Sequence, residues 1–233
     1  MSHPILITRN AQASDRFAHQ LQSAAMGTLD IVTSPIMQIR ALDVDIQDFD
    51  IALITSSQAL RSLPGTFQAN GRLALCVGDV TTQAANSIGF AAVCAGSTVD
   101  GLVDHVLAHL RQGRYLHLRG QHTTGDLVPR LDRHGVQVQG TIVYDQPMVA
   151  LSESAQQMLQ RGTPVVLPLF SPRSAELLIE QMTISPVHRA ICISKNTVQI
   201  CQDAGFSVIR VAQTPTAQDM VVTTLQAAHQ DFD

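Results

Sequence analysis

The chain has no surplus of positive charge. Fifteen Lys and Arg stand against nineteen Asp and Glu in 233 residues, a formal net charge of −4. Binding to a phosphate backbone calls for a stripe of basic residues, so nucleic acid is a poor partner. Long apolar runs are missing as well. The opening MSHPILITRN offers only Ile5, Leu6 and Ile7 before Thr8 and Arg9. That is too short for the core of a signal peptide, and no later run could span a bilayer, so no membrane partner is expected. Cysteines are few, at 76, 94, 192 and 201, with no CxxC pair and no histidine cluster beside them. Cys76 and Cys192 sit in apolar runs, where a thiol packs as a small core residue. The chain therefore reads as reduced and cytoplasmic, without structural disulfides.

Several chemical signatures are also absent. Neither GxGxxG nor GxxxxGK[ST] occurs, which counts against dinucleotide and Walker-type sites. No GxSxG elbow occurs and TSSQ at 55–58 has no accompanying base, so a serine hydrolase is not indicated. His105 and His109 have the i, i+4 spacing that could reach one metal. No third ligand follows at a sensible spacing, and the pair reads as a helix face. ITRNAQ after the first strand lacks the acidic pair of a phospho-receiver.

What the chain does have is apolar material, 45% of residues against 15% charged, enough for a substantial core. Short β-branched runs alternate with stretches of helical period. Strands are predicted at 4–8, 29–34, 50–55, 73–77, 91–95, 115–119, 136–144, 164–170, 189–194 and 207–212. Helices are predicted at 12–25 and near 57–63, 80–88, 99–111, 124–134, 172–182, 196–204 and 216–229. This rhythm is that of an α/β protein with parallel sheets, because parallel neighbours need a crossover.

The chain also repeats itself. LCVGDVTTQAANSIGF (75–90) and ICISKNTVQICQDAGF (191–206) share Cys76/Cys192, Thr81/Thr197, Gln83/Gln199, Gly89/Gly205 and Phe90/Phe206. LITSSQAL (53–60) resembles LPLFSPRSAELL (167–178), with Ser56 over Ser171, and LITR (6–9) resembles LHLRG (116–120). Two kinds of unit thus occur twice, in the order a-b-a-b. That order permits contiguous halves or a discontinuous partition. The Pro-containing, loosely periodic stretches at 33–44 and 144–155 favour the second, with about 40–143 as a middle domain.

In open α/β sheets, ligands lie beyond the carboxyl ends of the strands. Ser56-Ser57, Asp79-Thr81, Ser171-Pro172, Lys195-Thr197 and Thr214-Pro215-Thr216 all fall at predicted strand-to-helix turns. Free N–H groups at a helix start, with a hydroxyl nearby, can hold carboxylate or phosphate. Each hydroxyl can equally be a helix cap. Tyr144, one of two tyrosines, closes a predicted strand, and its plain reading is a strand-end aromatic.

Taken in order, ILITR, LITSSQAL, VGDVTTQAANSIGF, LHLRG…LVPRLDRHGVQV…VY, LFSPRSAELL and ISKNTVQICQDAGF…VAQTPT resemble the blocks of the uroporphyrinogen-III synthase family over nearly the whole chain. The resemblance implies two flavodoxin-like domains, 1–36 plus 148–233 and 40–143, joined by β-strand linkers at about 37–39 and 144–147. It implies an active site in the cleft between them and no cofactor or metal; nothing in the sequence itself demands more than a monomer. The implied substrate is the linear tetrapyrrole hydroxymethylbilane, which carries acetate and propionate side chains. It is cyclised with inversion of its terminal ring and loss of water, as in a hydro-lyase. Tyr144 matches the family tyrosine proposed to assist departure of the hydroxyl. Arg9, Ser56, Ser57, Thr81, Gly120, Ser171 and Thr197 match substrate-binding positions. Two departures stand out: Ser194 occupies a place where the family usually has Gly, and no basic residue follows Gly120. The alternative function is a non-catalytic two-domain protein, a sensor or carrier, closing on an anionic small molecule.

Overall fold

The computed structural model describes residues 2–109, 112–123 and 125–229. In chain order its elements begin with β1 (Ile5–Ile7), α1 (Ala11–Ala24), β2 (Ile31–Thr33), β3 (Arg40–Ala41), β4 (Ile51–Ile54), α2 (Ser57–Arg61) and β5 (Leu73–Cys76). There follow α3 (Asp79–Ser87), β6 (Ala91–Cys94), α4 (Val99–Ala108), β7 (Tyr115–Gly120), α5 (Leu127–Asp132) and β8 (Val138–Asp145). The last are α6 (Glu153–Gln160), β9 (Val166–Leu169), α7 (Pro172–Ile179), β10 (Arg189–Cys192), α8 (Lys195–Asp203), β11 (Val208–Val211) and α9 (Ala217–His229).

The chain divides into two compact units, Met1–Gln38 with Pro147–Asp233, and Ile39–Gln146. The first holds a five-stranded parallel sheet in the order β11-β10-β9-β1-β2. The second holds six strands in the order β3-β8-β7-β4-β5-β6, parallel except for β3, which pairs antiparallel with β8. Numbered within its own unit, the first sheet has the flavodoxin-like order 2-1-3-4-5. The parallel strands of the second, β4 to β8 counted in chain order, run 3-2-1-4-5. The a-b-a-b repeat reconciles the two. Strands β1 and β2 correspond to β7 and β8, and strands β9 to β11 correspond to β4 to β6. In those terms both sheets have one spatial order, and the second unit is a circular permutation of the first.

The inner strands β1, β4 and β9 are covered on both faces, and they are buried and apolar at every position rather than alternately. In the first unit Ile5, Ile7 and Ile191 pack with Phe17 and Leu21 of α1 and Met220 and Val221 of α9. Leu6, Leu167 and Cys192 point the other way, onto Met158 of α6, Leu177 of α7 and Cys201 of α8. In the second unit Ala52, Ile54, Leu116 and Leu118 meet Leu60 of α2 and Ala85 of α3. Ile51, Leu53 and Tyr115 meet Leu102 and Val106 of α4 and Leu131 of α5. All four cysteines are free thiols. Cys76, Cys192 and Cys201 are buried and Cys94 is exposed. Burial pushes the Cys76 thiol up to about 11, as befits a core residue.

The structure adds two elements to the predicted set. Helix α6 lies where the sequence predicts only a loose Pro-containing stretch, with Ser152 accepting from the Ala155 N–H at its start. Strand β3 is two residues long, below what periodicity can register. Strand β8 continues through Tyr144 and Asp145, the first half of the expected 144–147 linker. Of the predicted helices over 99–111 and 124–134, residues 110, 111 and 124 lie outside the described residues.

Candidate functional site at the strand ends

The second unit brings five of the eight candidate residues to the carboxyl ends of four consecutive strands. Tyr144 lies on β8, Gly120 ends β7, Ser56 and Ser57 follow β4, and Thr81 follows β5. Gly120 and Tyr144 are register partners, just past an irregularity at Arg119 and Gly120. The phenol ring lies against the Gly120 backbone, so closely that a Cβ there would fall 2.5 Å from Cζ and 2.8 Å from the phenolic oxygen. Tyr144 is 7% exposed and is part of the core facing α2 and α3. Burial raises its pKa, and the nearby Ser56 side chain opposes the rise through a hydrogen bond. The phenol therefore holds its proton at neutral pH and is available as a donor.

Ser56 is also the N-cap of α2, accepting from the Gln58 N–H at 3.2 Å. Ser57 opens that helix and is half-buried. Thr81 is buried in the first turn of α3. Helix α3 starts from Gly78 at φ +75°, with no side-chain cap on its first N–H groups, and Thr82 Oγ1 donates back to the Gly78 carbonyl at 3.0 Å. The left-handed φ is one that glycine adopts without strain. Those N–H groups point along the positive end of the helix dipole and suit an anion.

The first unit places its three candidates after neighbouring strands: Arg9 after β1, Ser171 after β9 and Thr197 after β10. The Arg9 guanidinium sits 3.8 Å over the Phe170 ring, and burial, then Arg16, hold its pKa below the usual value. Ser171 and Ser174 form a reciprocal capping box at the start of α7, with Pro172 in the first turn. Thr197 is fully buried, and both its N–H and its hydroxyl bond the Ser194 side chain, at 3.4 and 3.1 Å.

The two copies of the opening repeat therefore differ in chemistry. Gly78 and Ser194 are equivalent in sequence, yet Ser194 has φ −150°, an extended backbone open to any residue, and caps α8. Serine replaces glycine there without strain, and its hydroxyl takes up the amide that the first copy leaves open at Thr81. Sequence reasoning ranks Thr81 and Thr197 alike. The residue type at 78 against 194 is the available signal that they differ. Sequence reasoning also passes over His117, a buried histidine on β7 whose Nε2 lies 3.4 Å from Thr55 Oγ1. Its position in an otherwise apolar run of strand is the signal. Among the described residues no cluster of three or more His, Cys, Asp or Glu could hold a metal, and no helix is long and apolar enough to cross a membrane.

Two αβα units, permuted relative to each other and with polar groups gathered at their strand ends, define the class of protein. The family model for uroporphyrinogen-III synthase HemD matches residues 13–222, and the chain belongs to that family. Its fold is similar to that of uroporphyrinogen-III synthetase from Helicobacter pylori, at 16% identity and a TM-score of 0.72 over 96% of this chain and 99% of that one. It is also similar to a mutant uroporphyrinogen III synthase from the extreme thermophile Thermus thermophilus, at 15% identity and a TM-score of 0.58 over 96% of this chain and 98% of that one. Comparison with curated proteins gives no significant match.

Proposed function

We propose that the chain is a cyclising hydro-lyase that converts hydroxymethylbilane to uroporphyrinogen III, with Tyr144 as the proton donor to the departing hydroxyl. Family membership supports the reaction. The observation that carries the role of Tyr144 is its buried, proton-holding phenol, flanked by Ser56 and set against Gly120. Departure of the hydroxyl takes up that proton as water forms, leaving an azafulvenium cation and the Tyr144 phenolate. The terminal pyrrole is attacked at its substituted carbon to give a spiro intermediate. Fragmentation and recombination invert that ring before the macrocycle closes and a carbon-bound proton is lost, which can restore the phenol. Water is the only co-product and no electrons are gained or lost. The work required of the protein is therefore orientation and proton handling.

Side-chain carboxylates of the substrate would be held in the second unit by the open first turn of α3 at Thr81 and by Ser57. Ser171 and Thr197 are internally bonded, and act in this reading by fixing their helix starts. The test generates hydroxymethylbilane in situ, adds the protein, then oxidises and separates the type I and type III isomers. Type III product in excess over the enzyme-free control is expected. Type I alone, from folded protein, would leave the fold assignment and favour the non-catalytic binding reading.

A further inference from the structure

Strand alternation separates two faces at the end of β7. Leu116 and Leu118 face α2 and α3, on the side of Tyr144, whereas Tyr115 faces α4 and α5. With a period of two, His117 and Arg119 share the face of Tyr115. On that face a cavity of about 400 Å³ is lined by His117, Arg119, Thr123, Asp126, Gly140 and the start of α5, within the size range of small-molecule sites.

Three features of this cavity are unexplained by the fold. The Arg119 guanidinium donates to the carbonyls of Gly120 and Gln121, at 3.1 and 3.4 Å, and among the described residues no carboxylate pairs with it. Arg40, Arg72, Arg114, Arg130 and Arg173 all have one. His117 is 3% exposed, and its Nδ1 is buried without a partner. Gly140 leaves room where a Cβ would come 3.3 Å from Arg119 Nε. A guanidinium with no carboxylate in salt-bridge contact and an unsatisfied imidazole nitrogen, on one cavity wall, both call for an acceptor.

We propose that this cavity is a binding site for an aliphatic carboxylate, with Arg119 supplying the charge and the His117 ring and Thr123 hydroxyl the neutral donors. When Thr55 donates to Nε2, the ring proton resides on Nδ1, where the acceptor is missing. Burial, reinforced by Arg119, pushes the His117 pKa down to about 4, so the ring contributes a donor and no second charge. Asp126 on the same lining repels a multiply charged anion and selects a single carboxylate over phosphate. Under the proposed function, which this source alone rests on, the ligand is an acetate or propionate arm of the tetrapyrrole. The other source of the same chemistry is a free short-chain carboxylic acid.

The test titrates isotopically labelled full-length protein with sodium propionate, and separately with sodium phosphate and sodium chloride at matched ionic strength, reading the His117 ring and Arg119 Nε resonances. Saturable shifts with propionate alone are expected, weakened about tenfold in His117→Phe and in Arg119→Gln. Absence of saturation in folded protein, an equal response to chloride or phosphate, or unchanged affinity in both variants would overturn the site. The titration involves no turnover, so its failure is separate from a failure to make type III product. If the ligand is a substrate arm, propionate inhibits competitively and His117→Phe raises KM more than it lowers kcat. Saturable binding without competition assigns the site to a free acid.

Discussion

Tyr144 and Gly120 constrain each other, and that contact gives two distinct expectations. Tyr144→Phe keeps the ring in its place against Gly120 and removes only the proton donor. Turnover is expected to fall about ten- to a hundredfold, with the melting temperature little changed; an unchanged rate would reduce Tyr144 to packing. Gly120→Ala instead displaces the ring, since its Cβ would fall 2.5 Å from Cζ of the Tyr144 side chain. The ring must move or the strands must part, at about 1–3 kcal/mol of stability. Loss of activity together with a lower midpoint in denaturant is the expected result, measured by isomer assay and urea titration. Both residues are named from the family resemblance. That they touch cannot be read from the sequence, because contact depends on the β7–β8 register and its irregularity.

At the scale of the element, the two repeats show what sequence made legible and what it hid. Ten strand segments and the helices between them follow from alternating apolar runs and helix-start signals, because doubly covered parallel strands are apolar throughout. Strand β3 was invisible because two residues carry no period, and it exists only through its pairing with β8. Helix α6 was legible in principle, from Ser152 before Ala155 and Met158, but the Pro147 and loosely periodic residues before it masked the start. The candidate hydroxyls were correctly placed at strand-to-helix turns. Whether each is free or engaged was not legible, because a cap and a ligand-binding hydroxyl look alike until hydrogen-bond partners are known. Ser194 makes this testable. Ser194→Ala removes the acceptor for the Thr197 N–H and is expected to cost about 1 kcal/mol, whereas Ser194→Gly costs a few tenths. Equal losses in thermal or urea unfolding would show that the cap contributes nothing beyond chain stiffness.

At the scale of the molecule, circular permutation makes the second unit a contiguous insertion into the first. Residues Arg40 and Asp145 are register partners on β3 and β8, so the two ends of Ile39–Gln146 emerge side by side. The unit carries its own two-faced core. A fragment of residues 39–146 is therefore expected to fold alone and to unfold cooperatively, whereas the piece ending at Gln38 lacks the strand β9 that pairs with β1. The same fragment isolates one titration. His117 is held near 4 in the folded unit by burial, with Arg119 in support, and an unfolded histidine protonates near ~6.5. Between those values the unfolded chain binds more protons than the folded one. Stability from this residue is thus undiminished above about pH 6.5, declines as pH falls, and levels off below about 4. The loss is on the order of 3 kcal/mol over that window. Urea unfolding of the fragment across the window should show this decline, and His117→Phe should remove it. A slope that survives the substitution would mean that the titrating group lies elsewhere.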